Sequence, residues 1–285
     1  MTVLEVIQRS SEFLAKKGVE SSRLQVELLL AHMLGLPRMQ LYLNFERVLS
    51  PTELDNLREL VKRRGQREPL QHIIGTTSFC GLELAVNRHA LIPRPETELL
   101  AERAWQFLSA LNSQPPTALD FGTGTGCLAI ALAVKCPTAQ LFAIDISNEA
   151  LELARQNAVR QNVADRIQFF AGDGLAALPD GARFNLIVAN PPYIPSATID
   201  TLAPEVREHD PRLALDGGVD GLDFYRRLAR EAAPFLQSDG RIMLELGDGQ
   251  ADAVSEMFAR QKWVVEAVQE DYSRQPRILV ARPAG

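Results

Sequence analysis

The spacing of apolar positions changes character along the chain. Over residues 1–75 it is helical. Val3, Val6, Ile7, Phe13 and Leu14 share one stripe, opened by a Thr2/Glu5 capping box and ended at Gly18. Ser21 or Ser22 opens a second helix through Leu24–Leu30, closed near Gly35 and Pro37. Ser50-Pro51-Thr52-Glu53 combines a cap, a proline in the first turn and an acid three residues after the cap. Its helix runs through Leu54, Leu57, Leu60 and Val61 to Lys62-Arg63-Arg64, a basic end that complements the helix dipole. The pattern predicts a small helical bundle over 1–75. It carries no obvious chemistry, and reads as a docking surface for a macromolecular partner or as a stabilising cap.

Residues 76–92 predict a β-hairpin linker, with Thr76–Cys80 and Leu82–Val86 flanking Gly81. Ile92-Pro93-Arg94-Pro95-Glu96-Thr97-Glu98 follows as a stiff elbow before a helix; if it is functional, Glu96 and Thr97 border the mouth of a ligand site. From Thr117 onward apolar runs alternate between strand and helix types. Strands are predicted at 118–121, 140–144, 167–170, 184–189, 241–246, 263–268 and 277–281. Helices are predicted at 128–134, 149–157 and near 224–233. The expectation is an α/β fold: a doubly wound, Rossmann-like sheet of about seven strands over 93–285.

Composition narrows the class. With 46% hydrophobic and 23% charged residues, the 285-residue chain is ordinary for a globular protein. It has no run of about 18 apolar residues, so no membrane span is expected. Met1–Glu5 predicts no signal peptide, and Cys80, Cys127 and Cys136 fit no metal spacing, so reduced thiols and a cytoplasmic location are expected. Residues 1–75 hold 11 Lys+Arg against 9 Asp+Glu; the remainder holds 19 against 27. An acidic main region argues against duplex nucleic acid as the principal partner. No long apolar surface stripe is left unassigned, so a monomer is expected.

Two loops at strand ends carry the chemistry. Asp120-Phe121-Gly122-Thr123-Gly124-Thr125-Gly126 joins the first strand of the series to its helix. Its glycines let the backbone pass close to a ligand. The G-x-G-x-G spacing differs from the G-x-G-x-x-G of dinucleotide binders. Asp145, 23 positions after Gly122, ends the next strand and suits two ribose hydroxyls; Asp173 ends the third and suits an adenine amino group. Taken singly, each acid is better explained as a helix cap or turn residue. Together the three strand ends predict a nucleoside-containing cofactor. Asn190-Pro191-Pro192-Tyr193 follows the apolar run 184–189. Prolines there hold the Asn190 side-chain oxygen and the Pro191 carbonyl as two rigid acceptors beside a ring, which suits a planar –NH2 group.

With these motifs the chain resembles the release-factor glutamine methyltransferases (HemK/PrmC), within the class I S-adenosylmethionine-dependent methyltransferases. The resemblance spans essentially the whole chain. It rests also on Arg67-Glu68-Pro69-Leu70-Gln71-His72-Ile73-Ile74-Gly75 and on Leu91–Glu98, which make it more specific than Asn-Pro-Pro-Tyr alone. It implies methylation of the glutamine in the Gly-Gly-Gln motif of bacterial peptide chain release factors. The implied cofactor is S-adenosylmethionine, leaving S-adenosylhomocysteine. The implied cofactor set is Gly122, Thr123, Gly124, Thr125, Gly126, Asp145, Ile146, Asp173, Gly174 and Asn190. Asn190, Pro191, Pro192 and Tyr193 would hold the glutamine, with Asn190, Pro191 and Tyr193 catalytic. Some members carry tryptophan where this chain has Gly174, so the adenine wall is expected elsewhere, at Ile146.

On this reading Asn190 Oδ1 and the Pro191 carbonyl accept the two amide N–H bonds, while Tyr193 stacks on the amide plane. A DNA or RNA adenine methyltransferase would present an exocyclic –NH2 to the same acceptors. A non-catalytic nucleotide-binding protein and an NAD-dependent dehydrogenase are weaker alternatives.

Overall fold

The computed structural model describes residues 1–111 and 115–284. They form two compact units: Met1–Thr76 with Ala203–His209, and Thr77–Leu202 with Asp210–Gly285. The second therefore includes the hairpin that the sequence suggested as a linker.

The first unit contains helices α1 (Val3–Lys16), α2 (Ser22–Leu34), α3 (Arg38–Tyr42), α4 (Pro51–Gly65) and α5 (Leu70–Ile74). Both capping boxes form. Thr2 and Ser50 each accept from the backbone N–H three residues on, and Glu5 and Glu53 reach back to the cap N–H groups. Ile7, Leu14, Leu29, Leu30, Leu41 and Leu57 fill the core. Glu27 is buried within α2, where Arg23, Arg38 and the Tyr42 hydroxyl surround its carboxylate at 3.0, 2.8 and 2.9 Å. Residues 203–209, a far later stretch of chain, complete this unit. Glu205 receives Arg64 Nη2 at 2.7 Å and Arg67 through Nε and Nη2 at 2.7 and 2.6 Å.

The hairpin of β1 (Thr76–Phe79) and β2 (Leu82–Ala85) belongs, from Thr77 onward, to the second unit. Its Cys80-Gly81 turn has positive φ at both positions (51° and 78°), which matches strand twist. Then follow α6 (Pro95–Ala110), β3 (Thr117–Phe121), α7 (Cys127–Lys135), β4 (Gln140–Asp145), α8 (Asn148–Arg160), β5 (Ile167–Ala171), β6 (Phe184–Ala189), β7 (Leu236–Glu245), β8 (Trp263–Glu270) and β9 (Pro276–Pro283). Helices Asp223–Glu231 and Ala251–Arg260 flank β7 in sequence. One expected boundary moves. Helix α6 starts inside the elbow motif, because Pro95 occupies the first helical position and Glu96 and Glu98 favour its positive end.

The seven strands are ordered β5-β4-β3-β6-β7-β9-β8. The first five are parallel; β9 runs antiparallel to β7 and β8. Alternate residues of β6 serve opposite faces. Leu186 and Val188 pack under α6 and α7, while Ile187 and Ala189 meet Tyr225, Leu228, Val254 and Phe258. That two-sided burial explains the unbroken apolar run before Asn190. Strand order reverses between β3 and β6, so the crevice at their carboxyl ends is the place for a ligand. Among the described residues no helix is long and apolar enough to cross a membrane.

Candidate active site

Strand register collects the motif residues. Phe121 pairs with both Ile144 and Ala189, Asp145 with Ala171, and Ala189 with Leu244. The residues that end these strands or follow them therefore stand in one row: Gly122, Asp145, Gly172, Asn190 and Glu245.

The glycine loop is pinned from two sides. Gly122 and Thr123 donate their N–H groups to the Ile144 carbonyl at 2.9 and 3.0 Å. Beneath it Asp120 Oδ2 accepts from the Thr123 hydroxyl (2.6 Å) and the Ala129 N–H (3.1 Å). Asp120 is 1% exposed, and burial pushes its carboxyl up to about 6. Its second oxygen, Oδ1, has no hydrogen-bond partner among the described residues. Asp145 accepts the Gly124 N–H on Oδ2 (2.8 Å) and the Ser147 N–H on Oδ1 (2.9 Å). Burial raises its pKa, against those two bonds.

Across the cleft, Asn190 Nδ2 donates to Thr97 Oγ1 (3.0 Å), and that hydroxyl donates to Glu245 Oε2 (2.6 Å). Burial pushes the Glu245 carboxyl up to about 7. The Tyr193 carbonyl accepts from Gln250 Nε2 at 2.9 Å. Arg94, in the elbow, pairs with buried Asp210 at 2.5 Å.

A cleft of about 200 Å³ holds most of the residues expected from sequence: Gly122, Thr123, Gly124, Thr125, Asp145, Ile146, Asp173, Gly174, Asn190, Pro191 and Pro192. Two expected residues lie outside its lining. Gly126 sits behind the loop, where a Cβ would meet Ile130 at 3.0 Å and Ala154 at 3.1 Å. Tyr193 packs into the sheet core beside Gly247, and burial pushes its hydroxyl up to about 12.

Asp173 lines the cleft, but Arg227 takes its carboxylate in an ion pair and its carbonyl at 2.7 Å. Backbone conformation accounts for Gly174, whose φ of 83° and ψ of −167° favour glycine, and the Arg227 guanidinium lies against the same position. Of the elbow acids, Thr97's neighbour Glu96 lines a separate hollow with Glu98, Glu102 and Trp105. Sequence reasoning missed the roles of Asp120 and Glu245, which support the loops from behind the cleft, and the wall formed by His89, Ala90 and Leu91. Asp120 had a signal, its place at the head of the glycine motif. Glu245 had only its position at a strand end.

Residues 5–75 match the model of the PrmC N-terminal domain, and residues 103–209 that of the methyltransferase small domain. A release factor glutamine methyltransferase of Geobacter sulfurreducens is 48% identical over 261 residues, covering 91% of this chain and 89% of its own length. One from Chlorobaculum tepidum is 41% identical over 284 residues, covering 98% and 96%. Among solved structures, a methyltransferase from Pyrococcus furiosus matches with a TM-score of 0.52 at 20% identity, covering 72% of this chain and 90% of that one; this likeness concerns the fold alone.

Proposed function

The chain belongs to the release factor glutamine methyltransferase family, and on that premise we propose that it methylates the side-chain amide nitrogen of a release-factor glutamine, that of the Gly-Gly-Gln motif, using S-adenosylmethionine. The observation that carries this reading is the meeting of two loops in one cleft: the glycine turn after β3 and Asn190-Pro191-Pro192 after β6.

The residues present fit the cofactor. Apart from the glycine itself and its chain neighbours, no atom lies within 4 Å of where a Gly122 Cβ would stand, and the nearest to a Gly124 Cβ is 3.9 Å away, so the backbone is open to close approach. Asp145 retains lone pairs for a ribose diol beyond its two N–H bonds. Asp120 Oδ1, buried and unpartnered among the described residues, offers a further acceptor beneath the loop. When bound, S-adenosylmethionine supplies a methyl group already activated on a sulfonium.

An amide nitrogen is a weak nucleophile because its lone pair is delocalised into the carbonyl. The chain's task is therefore positioning and electrostatic preparation. With Asn190 Nδ2 committed to Thr97, Oδ1 is the end left to accept one glutamine N–H. The Pro191 carbonyl accepts the other, and the nitrogen's face is turned to the methyl group. This nitrogen would take the methyl group of a sulfonium held by the glycine loop and Asp145, releasing the neutral thioether, and would lose one proton to water. Tyr193, held by Gln250, braces the turn that carries the Pro191 carbonyl. A glutamate side chain would bring no N–H to either acceptor. The helical unit serves as the docking face for the factor, and the protein acts as a cytoplasmic monomer.

Incubation with a full-length release factor and labelled cofactor tests the assignment. Mass mapping is expected to place the label on the Gly-Gly-Gln glutamine, and Asn190→Ala to lower turnover by about 10²-fold or more while cofactor binding persists. Label on another residue, or on the adenines of added DNA or RNA, would overturn it.

A further inference from the structure

Three groups on three elements meet behind the substrate end of the cleft. Thr97 lies in the first turn of α6, Asn190 follows β6, and Glu245 ends β7. Thr97 is 2% exposed and Glu245 1%. The two bonds between them run in series, Asn190 Nδ2 to Thr97 Oγ1 and Thr97 Oγ1 to Glu245 Oε2. Resting on the function proposed above, we infer that Thr97 and Glu245 are positioning residues: their hydrogen bonds run one way and fix which end of the Asn190 amide meets the substrate, and so make the site select glutamine over glutamate.

The argument is one of proton count. An ionised carboxylate only accepts. Thr97 has a single hydroxyl proton, and Glu245 takes it. The Thr97 oxygen can then only accept, so Asn190 must present Nδ2 to it and Oδ1 to the substrate. The two ends of a carboxamide are nearly equal in shape, and packing alone barely distinguishes them. A protonated Glu245 would undo the order. It could donate to Thr97, whose proton would then be available to Asn190 Oδ1. The amide would turn and offer Nδ2, which opposes a glutamine –NH2 and receives a carboxylate.

The charged and titratable surroundings of Glu245 set where that reversal falls. Burial is the largest influence and favours the neutral acid. The Thr97 hydroxyl and the charges of Arg277 and Arg94 favour the carboxylate, while Glu96 opposes it. Tyr193 and Tyr225 also face it, and the Tyr225 hydroxyl donates to the Glu245 main-chain carbonyl at 2.9 Å. The balance lies at about 7. The order is therefore enforced on the alkaline side of neutrality and lost as pH falls through that value.

Steady-state methylation by the full-length enzyme tests this, with the natural factor as substrate and a factor carrying glutamate at the acceptor position as competitor. Thr97→Val keeps the side-chain shape and removes the relay. Its kcat is expected to fall about tenfold or more, with cofactor Kd within about twofold, and the glutamate factor should compete about tenfold better than it does against the unsubstituted enzyme. Thr97→Ser should recover most of both properties. Glu245→Gln cannot titrate there, and should lose the fall in kcat/KM centred near pH 7 that is expected of the unsubstituted enzyme, leaving only the fall near 6 that belongs to Asp120. If Thr97→Val does not fold, Thr97→Ala serves the same comparison. Undiminished discrimination in Thr97→Val (or Thr97→Ala), or an unchanged pH profile in Glu245→Gln, would overturn the relay. Failure of the unsubstituted enzyme to label glutamine would instead overturn the function on which it rests.

Discussion

Asp145 and Asp173 look alike in sequence, each an acid at or just past the end of a parallel strand, yet they have different neighbours. Asp145 holds the Gly124 and Ser147 N–H groups and keeps lone pairs toward the cleft. Asp173 is committed to Arg227. Asp145→Ala should therefore weaken S-adenosylhomocysteine binding by about tenfold or more, by removing the diol acceptor and loosening the glycine loop together. Isothermal titration measures this directly, and an unchanged Kd would take Asp145 out of the site. The difference between the two acids depends on Arg227, which is 54 positions from Asp173, so no local pattern announces it. The Thr97–Glu245 bond spans 148 positions. Motif spacing made Asp145 and Asn190 legible, whereas the partners that orient or occupy such groups come from elsewhere in the chain.

At the scale of elements, the turn from β3 to α7 shows two kinds of glycine. Gly122 and Gly124 open toward the cleft; Gly126, at φ 82°, closes the contact between α7 and α8. Gly126→Ala should lower stability by about 1–3 kcal/mol, seen as a reduced Tm. The folded variant should bind S-adenosylhomocysteine with less than about a tenfold loss, unlike Asp145→Ala. A full loss of binding without a change in Tm would reverse the two roles. The strands and long helices were readable because each has a face to bury and a consistent period. Helices α3 and α5 have only five residues each and no capping side chain. Their local signals are the proline before each and, for α5, the left-handed Gly75 that ends it; tertiary packing of Leu41 and Ile73 completes them. The α6 boundary shows the reverse case: two prolines suggested an elbow, but Pro95 starts the helix that carries Thr97.

At the scale of the molecule, the path of the chain matters more than its order in sequence. After Asn190-Pro191-Pro192-Tyr193 the chain leaves the second unit, contributes residues 203–209 to the helical one, and returns at Asp210. Burial opposes ionisation of Glu205, but hydrogen bonds from Arg67 and Arg64 outweigh it and lower its carboxyl to about 2. A carboxyl lowered from 4.5 in this way contributes stability above that value and loses it as pH falls toward 2. Glu205→Gln should therefore cost roughly 2 kcal/mol at neutral pH, and the gap between the two proteins should narrow steadily in melts recorded from pH 5 down to 3. A gap that persists at low pH would assign the effect to shape rather than charge. Nothing in the composition or hydropathy of 203–209 marks it as part of a helical bundle, so the sequence alone suggested a helical domain confined to 1–75, a linker over 76–92 and a catalytic domain over 93–285. The same path limits recombination between relatives. A chimera joined at residue 76 would inherit its arginines from one parent and its glutamate from the other. Only an exchange that carries residues 203–209 along with the first 76 would transplant the helical unit whole.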